Sequence, residues 1–349
     1  AYQTQVVPGV VQVDLEAKAG WIPFVGRQAY LYGYNNQVPG PLIEAKPGDT
    51  LRVHFTNSLP EATNLHFHGL HVSPAGFADN SFVMVAPGEQ FQYELPIPTN
   101  HPGGTFWMHP HMHGSVARQV WRGLAAPVIV RGQLDAIPEI QAAREVALVL
   151  QDVTLSANGQ PVEPNLMQQM AGREGALIGA SGSANPTISI QKDGWVRLRL
   201  VNASCSRFYR LQLEEHDLYQ ISSDGGSLPA PIGLSELLLV PGQRADLMIQ
   251  GSRPPGAYRL LNLPYSRGAM GIGTGMMGGM GGVAALAGTP STIATFVYAG
   301  QANPGFSLPQ KLVPVQPLPL PSQTRSFVLG QSMGSGMMGG GMSFAINGR

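Results

Sequence analysis

In the stretch Leu65-His66-Phe67-His68-Gly69, apolar residues alternate with histidines, as residues of opposite polarity do along a β-strand. Successive side chains of a β-strand point to opposite faces, so the two imidazoles leave one face with their Cα atoms ~7 Å apart. Phe67 points the other way, as a side chain directed into a core does. The stretch therefore predicts a β-strand with one buried face and two potential metal ligands on the other.

A second pair of histidines repeats this spacing in the run from Trp107 to Gly114. Pro110 stands between His109 and His111 and cannot donate to a strand ladder, which places it where a strand ends or at a sheet edge. Two such pairs on neighbouring strands put four imidazoles around one small volume. Metal ions of multinuclear sites lie ~4 Å apart, so this volume suffices for more than one ion, and imidazole ligands favour copper, zinc or nickel. We predict metal ligands at His66, His68, His109 and His111.

Eight of the nine histidines lie between residues 54 and 113. A single His-x-His pair is common on exposed strands, so the prediction depends on two pairs together, each followed closely by glycine. His71 and His113 continue the alternation and are interpreted either as partners of the ligands or as mere neighbours. His54, His101 and His216 are interpreted as surface residues or as core residues with satisfied hydrogen bonds.

The segments around these motifs, from residue 6 to residue 130, read as short alternating strands broken by turns. The turns include Pro39-Gly40-Pro41, Pro47-Gly48-Asp49 and Pro87-Gly88, a pattern typical of a Greek-key β-sandwich. Charged residues make up 12% of the chain, about half of the usual ~25%. The 44 glycines and 30 prolines disfavour long helices, so we expect an all-β fold.

A chain of 349 residues is too long for one hydrophobic core of ordinary size. A short helix near Asp135 to Glu145, with Pro138 in its first turn, is predicted to lead into a second sandwich. The strands predicted there are Val146 to Val153, Trp195 to Val201, Tyr209 to Leu213, Glu236 to Val240, Ala245 to Ile249 and Thr292 to Val297. The predicted divisions are residues 1–134, residues 135–300, a proline-rich linker at 301–325 and the start of a third domain at 326–349.

Charge and cysteine content exclude several classes of function. Lys plus Arg and Asp plus Glu both count 21, so no net field attracts nucleic acid or an anionic membrane surface. No apolar run reaches the ~20 residues of a membrane span. The chain begins at Ala1, as a processed protein does, and we expect export to the periplasm or the extracellular space. The single cysteine, Cys205, excludes an internal disulfide and a thiolate cluster.

The runs from Asn64 to Leu70 and from Gly104 to Gly114 resemble the two amino-terminal copper motifs of multicopper oxidases, and they are most similar to those of bacterial laccases, including thermophile laccases. Pro39-Gly40-Pro41, Leu200 to Ser204 and Phe344 to Gly348 also match, so the resemblance spans the chain. It implies tandem cupredoxin-like sandwiches. It also implies a trinuclear copper cluster, with type 2 copper at His66, one type 3 copper at His68 and His109, and the other at His111.

The implied activity is that of a laccase: one-electron oxidation of phenols or cuprous ions, coupled to four-electron reduction of dioxygen to water. The family takes its other cluster ligands, and a blue copper site in a His-Cys-His segment, from a carboxy-terminal domain. Cys205 lies between Ser204 and Ser206 with no histidine nearby in sequence, so the type 1 site is absent from this chain. We expect the chain alone to be inactive, and either a continuation past Arg349 or self-association.

Methionines form two glycine-rich segments, one with Met270, Met276, Met277 and Met280, the other with Met333, Met337, Met338 and Met342. Thioether sulfur prefers cuprous ion, so Met276, Met277 and Met280 are candidate soft copper ligands. A low-complexity loop whose methionines fill gaps is the competing interpretation. An exported, non-catalytic copper-binding or copper-resistance protein is the alternative function, because it would use the same histidines and methionines.

Overall fold

The computed structural model describes residues 3–165, 168–169, 172–266, 289–303, 305–333 and 342–349. The chain divides into two compact units, Ala1–Pro314 and Val315–Arg349. Strands dominate, and the α-helices among the described residues are short: α1 (Val116–Trp121) and α2 (Pro138–Ala142). The expected all-β fold is therefore confirmed. Within the described ranges, no helix combines the length and the apolar character that crossing a membrane requires.

The first β-sandwich is built from two sheets. One sheet contains β1 (Gln3–Val7), β2 (Val10–Phe24), β3 (Arg27–Tyr34), β5 (Thr50–Ser58) and β7 (Gln90–Pro96). The other contains β4 (Ile43–Ala45), β6 (His66–His68), β8 (Gly104–His109) and β9 (Ala126–Val130). The first sheet has the order β1-β2-β5-β7 with β3 beside β2, and the second has the order β4-β9-β8-β6. This order puts the two histidine-bearing strands side by side.

Alternating burial along the strands produces the core of this sandwich. In β5, Leu51, Val53 and Phe55 are buried, whereas the residues between them are only half-buried. Phe67 of β6 is fully buried in the same core. Burying a side chain of this size contributes about 1.5–3 kcal/mol, so Phe67 anchors the short strand that carries His66 and His68.

The second β-sandwich also has two sheets. One contains β10 (Arg144–Val153), β11 (Leu177–Ala180), β13 (Trp195–Asn202), β15 (Leu218–Ser223), β16 (Gly226–Leu234) and β18 (Arg244–Gln250). The other contains β12 (Thr187–Ile190), β14 (Tyr209–Leu213), β17 (Leu237–Leu239), β19 (Ala257–Leu263) and β20 (Ser291–Tyr298). Their orders are β11-β10-β13-β18-β15-β16 and β12-β20-β19-β14-β17. Each of the six strands predicted in this region coincides with a strand of the structure.

The predicted connecting helix is shorter than expected. A single 3-10 turn occupies Gln133–Ala136, and α2 follows with Pro138 in its first turn. The helix ends at Ala142, not at Glu145, because β10 begins at Arg144 and pairs in parallel with β13. The domain divisions at residues 134, 300 and 325 remain a prediction.

A buried ionic cluster lies where β13 and β18 of the second sandwich meet β8 of the first. Asp246 is fully buried and accepts a hydrogen bond from the Thr105 hydroxyl at 2.5 Å. Its other carboxylate oxygen pairs with Arg197 at 2.7 Å and Arg199 at 2.9 Å. Asp135 also pairs with both arginines, at 2.7 and 2.5 Å. The cluster therefore joins the second sandwich to the strand that ends in His109.

The predicted linker and the predicted third-domain segment differ in their described residues: the linker contains no regular structure, and the third-domain segment contains a two-stranded ladder. The described residues between 301 and 325 form no helix or strand, although Leu312 is buried and its N–H donates to the Pro229 carbonyl at 2.9 Å. In the second unit, β21 (Leu329–Met333) and β22 (Met342–Ile346) pair as an antiparallel ladder. The large apolar side chains exposed on this unit include Leu318, Leu320, Phe327 and Phe344.

Candidate metal centre

Strands β6 and β8 bring the two histidine motifs together. They pair antiparallel, with His66 opposite His109 and His68 opposite Trp107. His66 and His68 are half-buried on one face, and Phe67 between them is fully buried on the other, as the alternation predicts. Strand β8 ends at His109, directly before Pro110, also as predicted.

Three imidazoles converge on one point. His66, His68 and His109 each contribute one ring nitrogen, and these three nitrogen atoms lie within 4.8 Å of one another. His68 Nδ1 lies 3.2 Å from His109 Nε2. Two nitrogens that each lie ~2.0 Å from one tetrahedral metal ion are ~3.3 Å apart, so this spacing suits a shared ion. In the part of the chain that the structure describes, these residues form the only such group of potential ligands.

His111 lies beside this group, just beyond the end of β8. Its ring centre is 5.2 Å from that of His66 and 6.2 Å from that of His109. Its N–H donates to Asn64 Oδ1 at 2.7 Å, which fixes the backbone after Pro110. Its Nδ1 is buried and has no hydrogen-bond partner. Because a buried polar atom normally has a partner, this nitrogen fits the role of a metal ligand.

Hydrogen bonds fix the orientation of two of these rings. His66 Nδ1 lies 3.0 Å from Asp79 Oδ1, which also accepts the Phe67 N–H at 2.9 Å. His109 Nδ1 lies 2.9 Å from the Pro110 carbonyl. Metal-binding histidines usually donate their second ring nitrogen to a carboxylate or carbonyl in this way, which leaves Nε2 free for the metal. Sequence reasoning missed Asp79, because no spacing rule connects the loop that carries it to His66.

Burial lowers the pKa of two of the candidate ligands, His68 and His109. It lowers the pKa of His109 to about 3. It also lowers the pKa of His68 to about 4, and the positive charge of Arg244 acts in the same direction. Only the neutral imidazole has a lone pair for a metal, so both rings are ready to bind at neutral pH.

Asp79→Ala is expected to weaken metal binding by this group of imidazoles by roughly 10- to 100-fold, because the His66 ring loses the carboxylate that orients it. Equilibrium titration with a competing chelator would measure this change. Asp14→Ala, on the exposed face of β2, is the control and should bind as the unsubstituted protein does. Unchanged affinity in Asp79→Ala would show that the carboxylate does not support the site.

Two other histidines are buried and fully hydrogen-bonded. His101 accepts the His71 N–H at 2.9 Å on Nε2, and its Nδ1 lies 2.7 Å from the Pro102 carbonyl. His216 has Nδ1 2.7 Å from the Glu214 carbonyl and Nε2 3.0 Å from the Tyr298 hydroxyl. Both therefore match their interpretation as satisfied core residues.

The remaining histidines lie outside the group of three. His71 and His113 are exposed, and His113 lies beside the Phe82 ring, 6.0 Å between ring centres. His54 is half-buried on β5. The candidate methionine ligands Met276, Met277 and Met280 lie outside the described residues.

Cys205 has the surroundings of a structural thiol. It forms no disulfide, and its Sγ donates to the Ala117 carbonyl at 3.2 Å. Burial, followed by the negative charge of Asp152, raises its pKa to about 12. A thiol in this state is protonated at neutral pH, whereas copper coordination requires the thiolate.

Comparisons with known proteins agree with this picture. Two family models, both described as multicopper oxidase, match residues 16–135 and 145–277. The structure is similar to a multicopper oxidase from Campylobacter jejuni described as a metallo-oxidase, at 27% identity and a TM-score of 0.82, over 99% of this chain and 71% of that one. It is also similar to a multicopper oxidase from Pseudomonas thermotolerans, at 27% identity and a TM-score of 0.73, over 92% of this chain and 72% of that one.

A curated relative has a different name. Cell division protein FtsP of Escherichia coli K12 is 32% identical over 241 residues, which are 67% of this chain and 50% of that protein. The chain thus spans about half the length of the curated relatives that it matches. The two family models together match most of both sandwiches and both histidine motifs, and the solved structures share the cupredoxin-like architecture. The chain therefore belongs to the multicopper oxidase family.

Proposed function

We propose that this chain supplies half of the ligands of a trinuclear copper site. His66 would bind type 2 copper, His68 and His109 one type 3 copper, and His111 the other. The observation that carries this proposal is the convergence of three imidazole nitrogens within 4.8 Å, in a chain of the multicopper oxidase family. The 3.2 Å spacing between His68 and His109 and the unpartnered Nδ1 of His111 support it.

The residues of the chain would prepare this site before any metal arrives. Asp79 and the Pro110 carbonyl orient the rings of His66 and His109 through Nδ1, so that Nε2 is the nitrogen that would face the metal. Burial of His68 and His109 keeps protons from competing for their lone pairs. Copper bound there would supply one-electron redox chemistry for the reduction of dioxygen.

For the whole protein we propose a laccase-like oxidase that takes electrons from a phenol or from cuprous ion and passes them to dioxygen. Residues 1–349 contain one cysteine, and it is not part of the described ligand group. The type 1 site and the remaining cluster ligands would therefore come from outside these residues, either from a third sandwich or from another copy. We propose the periplasm or the extracellular space as the location, which cell fractionation can test.

A non-catalytic copper-binding role is the second candidate, because two of the curated relatives, FtsP of Shigella dysenteriae and of Escherichia coli K12, are named as cell division proteins. Oxygen uptake by the natural protein, with a phenol or cuprous ion as reductant, separates the two functions. Uptake that depends on the reductant indicates an oxidase. Copper binding without uptake indicates the second role.

The ligand assignment predicts a loss of copper in two variants. His66→Ala and His109→Ala should each lower the copper bound per chain, because each removes one nitrogen of the converging group. His216→Ala is a matched control, since His216 is 6% exposed and His109 is 7% exposed. It should retain all of its copper even if it is less stable. Metal analysis after dialysis measures the outcome, and equal copper in all three variants would refute the assignment.

A further inference from the structure

A turn of the second sandwich packs against the His68 ring. A β-carbon placed on Gly242 would lie 3.2 Å from His68 Cε1, and the φ angle of Gly242 is +82°. Glycine adopts this left-handed conformation without the strain that a side chain would add. The backbone of this turn therefore forms one wall of the space that the His68 ring occupies, although no residue of the second sandwich belongs to the histidine motifs.

Arg244, two residues further along, is only 3% exposed and is held by hydrogen bonds on every side. Its Nη1 donates to the Gly242 carbonyl at 3.0 Å and pairs with Asp224 Oδ1 at 2.7 Å. Its Nη2 donates to the Asp224 carbonyl at 2.9 Å. Its Nε donates to the Thr105 carbonyl at 3.2 Å, on the strand that ends in His109. The guanidinium thus has a single orientation between the two sandwiches.

The same guanidinium occupies the space directly behind the residue that follows His68. Gly69 has a φ of +88°, and a β-carbon there would overlap Nη2 of Arg244. On its other side, the guanidinium carbon lies 5.8 Å from the centre of the Phe106 ring. The chain after His68 can approach Arg244 this closely only because residue 69 is glycine.

We propose that Arg244 is a positioning residue for the copper site: it holds the His68 ring so that Nδ1 faces His109 Nε2, and it places a permanent positive charge beside the metal. This inference rests on the proposed function. The second sandwich then shapes the site without supplying a ligand. A fixed positive charge disfavours the more highly charged cupric ion, so removing it should lower the reduction potential of the bound copper.

A purely structural role is the competing explanation, and the charge environment of Arg244 argues against it. Arg197 and Arg199 share three carboxylates at the sandwich junction, those of Asp135, Glu145 and Asp246. Arg244 pairs with a single carboxylate, Asp224, whose side chain is 46% exposed. The charge of Arg244 is therefore less completely neutralised than the charges of Arg197 and Arg199, and it can act on His68.

The test uses Arg244→Met, Arg244→Lys and the control Arg207→Met in the natural full-length protein. Arg207 is also in the second sandwich and pairs with Asp152 and Glu174, both at 2.8 Å. Arg207→Met should lower the melting temperature but leave copper retention and the cupric EPR spectrum unchanged. Arg244→Met should retain copper roughly 10-fold less tightly and show altered EPR parameters. Arg244→Lys keeps the charge, so it should retain copper but show a shifted spectrum.

Four outcomes would contradict either the positioning role of Arg244 or the proposed function. Wild-type retention and an unchanged spectrum in Arg244→Met would overturn the positioning role, as would equal effects of Arg244→Met and Arg207→Met on both readouts. If Arg244→Met does not fold, Arg244→Lys decides, because one ammonium group cannot replace the contacts to Thr105, Gly242 and Asp224 together. An unchanged Arg244→Lys spectrum would then overturn the role. If the unsubstituted protein binds no copper, the proposed function fails instead.

Discussion

Asp246→Asn is expected to lower the free energy of unfolding by about 3–5 kcal/mol, the usual cost of removing one partner from a buried ion pair. Asp246 is fully buried and is hydrogen-bonded or paired to Thr105, Arg197 and Arg199. The amide has nearly the same shape but no charge. The guanidinium groups of Arg197 and Arg199 then remain buried with Asp135 and Glu145 as their carboxylate partners. Part of the free-energy cost of removing these two charges from water is no longer compensated.

Denaturant unfolding followed by circular dichroism measures this change. Asp217→Asn, an exposed position of the same sandwich, is the control and should change stability by less than about 0.5 kcal/mol. A loss below about 1 kcal/mol in Asp246→Asn would show that the cluster contributes little to joining the sandwiches.

The same cluster predicts acid sensitivity. Burial raises the pKa of Asp246, but the charges of Arg199 and Arg197 outweigh it, and the pKa of the folded state lies below its usual 3.8. Asp135 is shifted in the same direction for the same reasons. A depressed folded-state pKa gives stability that is present above the unfolded pKa and is lost as the pH falls through the folded value. Stability should therefore fall steeply below about pH 4, and less steeply in Asp246→Asn.

Sequence periodicity was sufficient to predict six of the eleven strands described in the second sandwich, but not which side chains β13 buries. Tyr209–Leu213 has the predicted bounds because apolar and polar residues alternate there and turns flank the strand. In β13 every residue is buried, including Arg197 and Arg199. Arginines on a strand normally indicate a solvated face. Their burial depends on Asp246 and Thr105, which are distant in sequence, and no local pattern reveals such partners.

The metal centre shows the same division between local and distant information. The spacing of His66 and His68 is a local property, and it fixes which face both rings leave. Asp79 and Asn64 contact His66 and His111 from loops, and Arg244 lies against the residue after His68 from another sandwich. Such contacts follow from the packing of whole sheets, so the candidate ligands could be named from the sequence, whereas the residues that surround them could not.

A polypeptide of residues 1–349 is expected to show no intense blue absorption after copper loading and no laccase turnover. A blue copper site needs a thiolate together with two imidazoles in a trigonal arrangement. Cys205 is the single cysteine, burial raises its pKa to about 12, and its Sγ is engaged with the Ala117 carbonyl. Without that site, electrons from a phenol have no entry point.

Copper loading followed by visible absorption, EPR and oxygen uptake with a phenol tests this expectation. Cys205→Ser is the matched control: it should bind the same amount of copper as the unsubstituted polypeptide, because the thiol is not a ligand. The copper that does bind should be colourless or weakly coloured and held loosely, since the described histidine group offers only part of a coordination shell. A blue, active polypeptide of 37.1 kDa would contradict the argument, because no second cysteine exists to supply a thiolate.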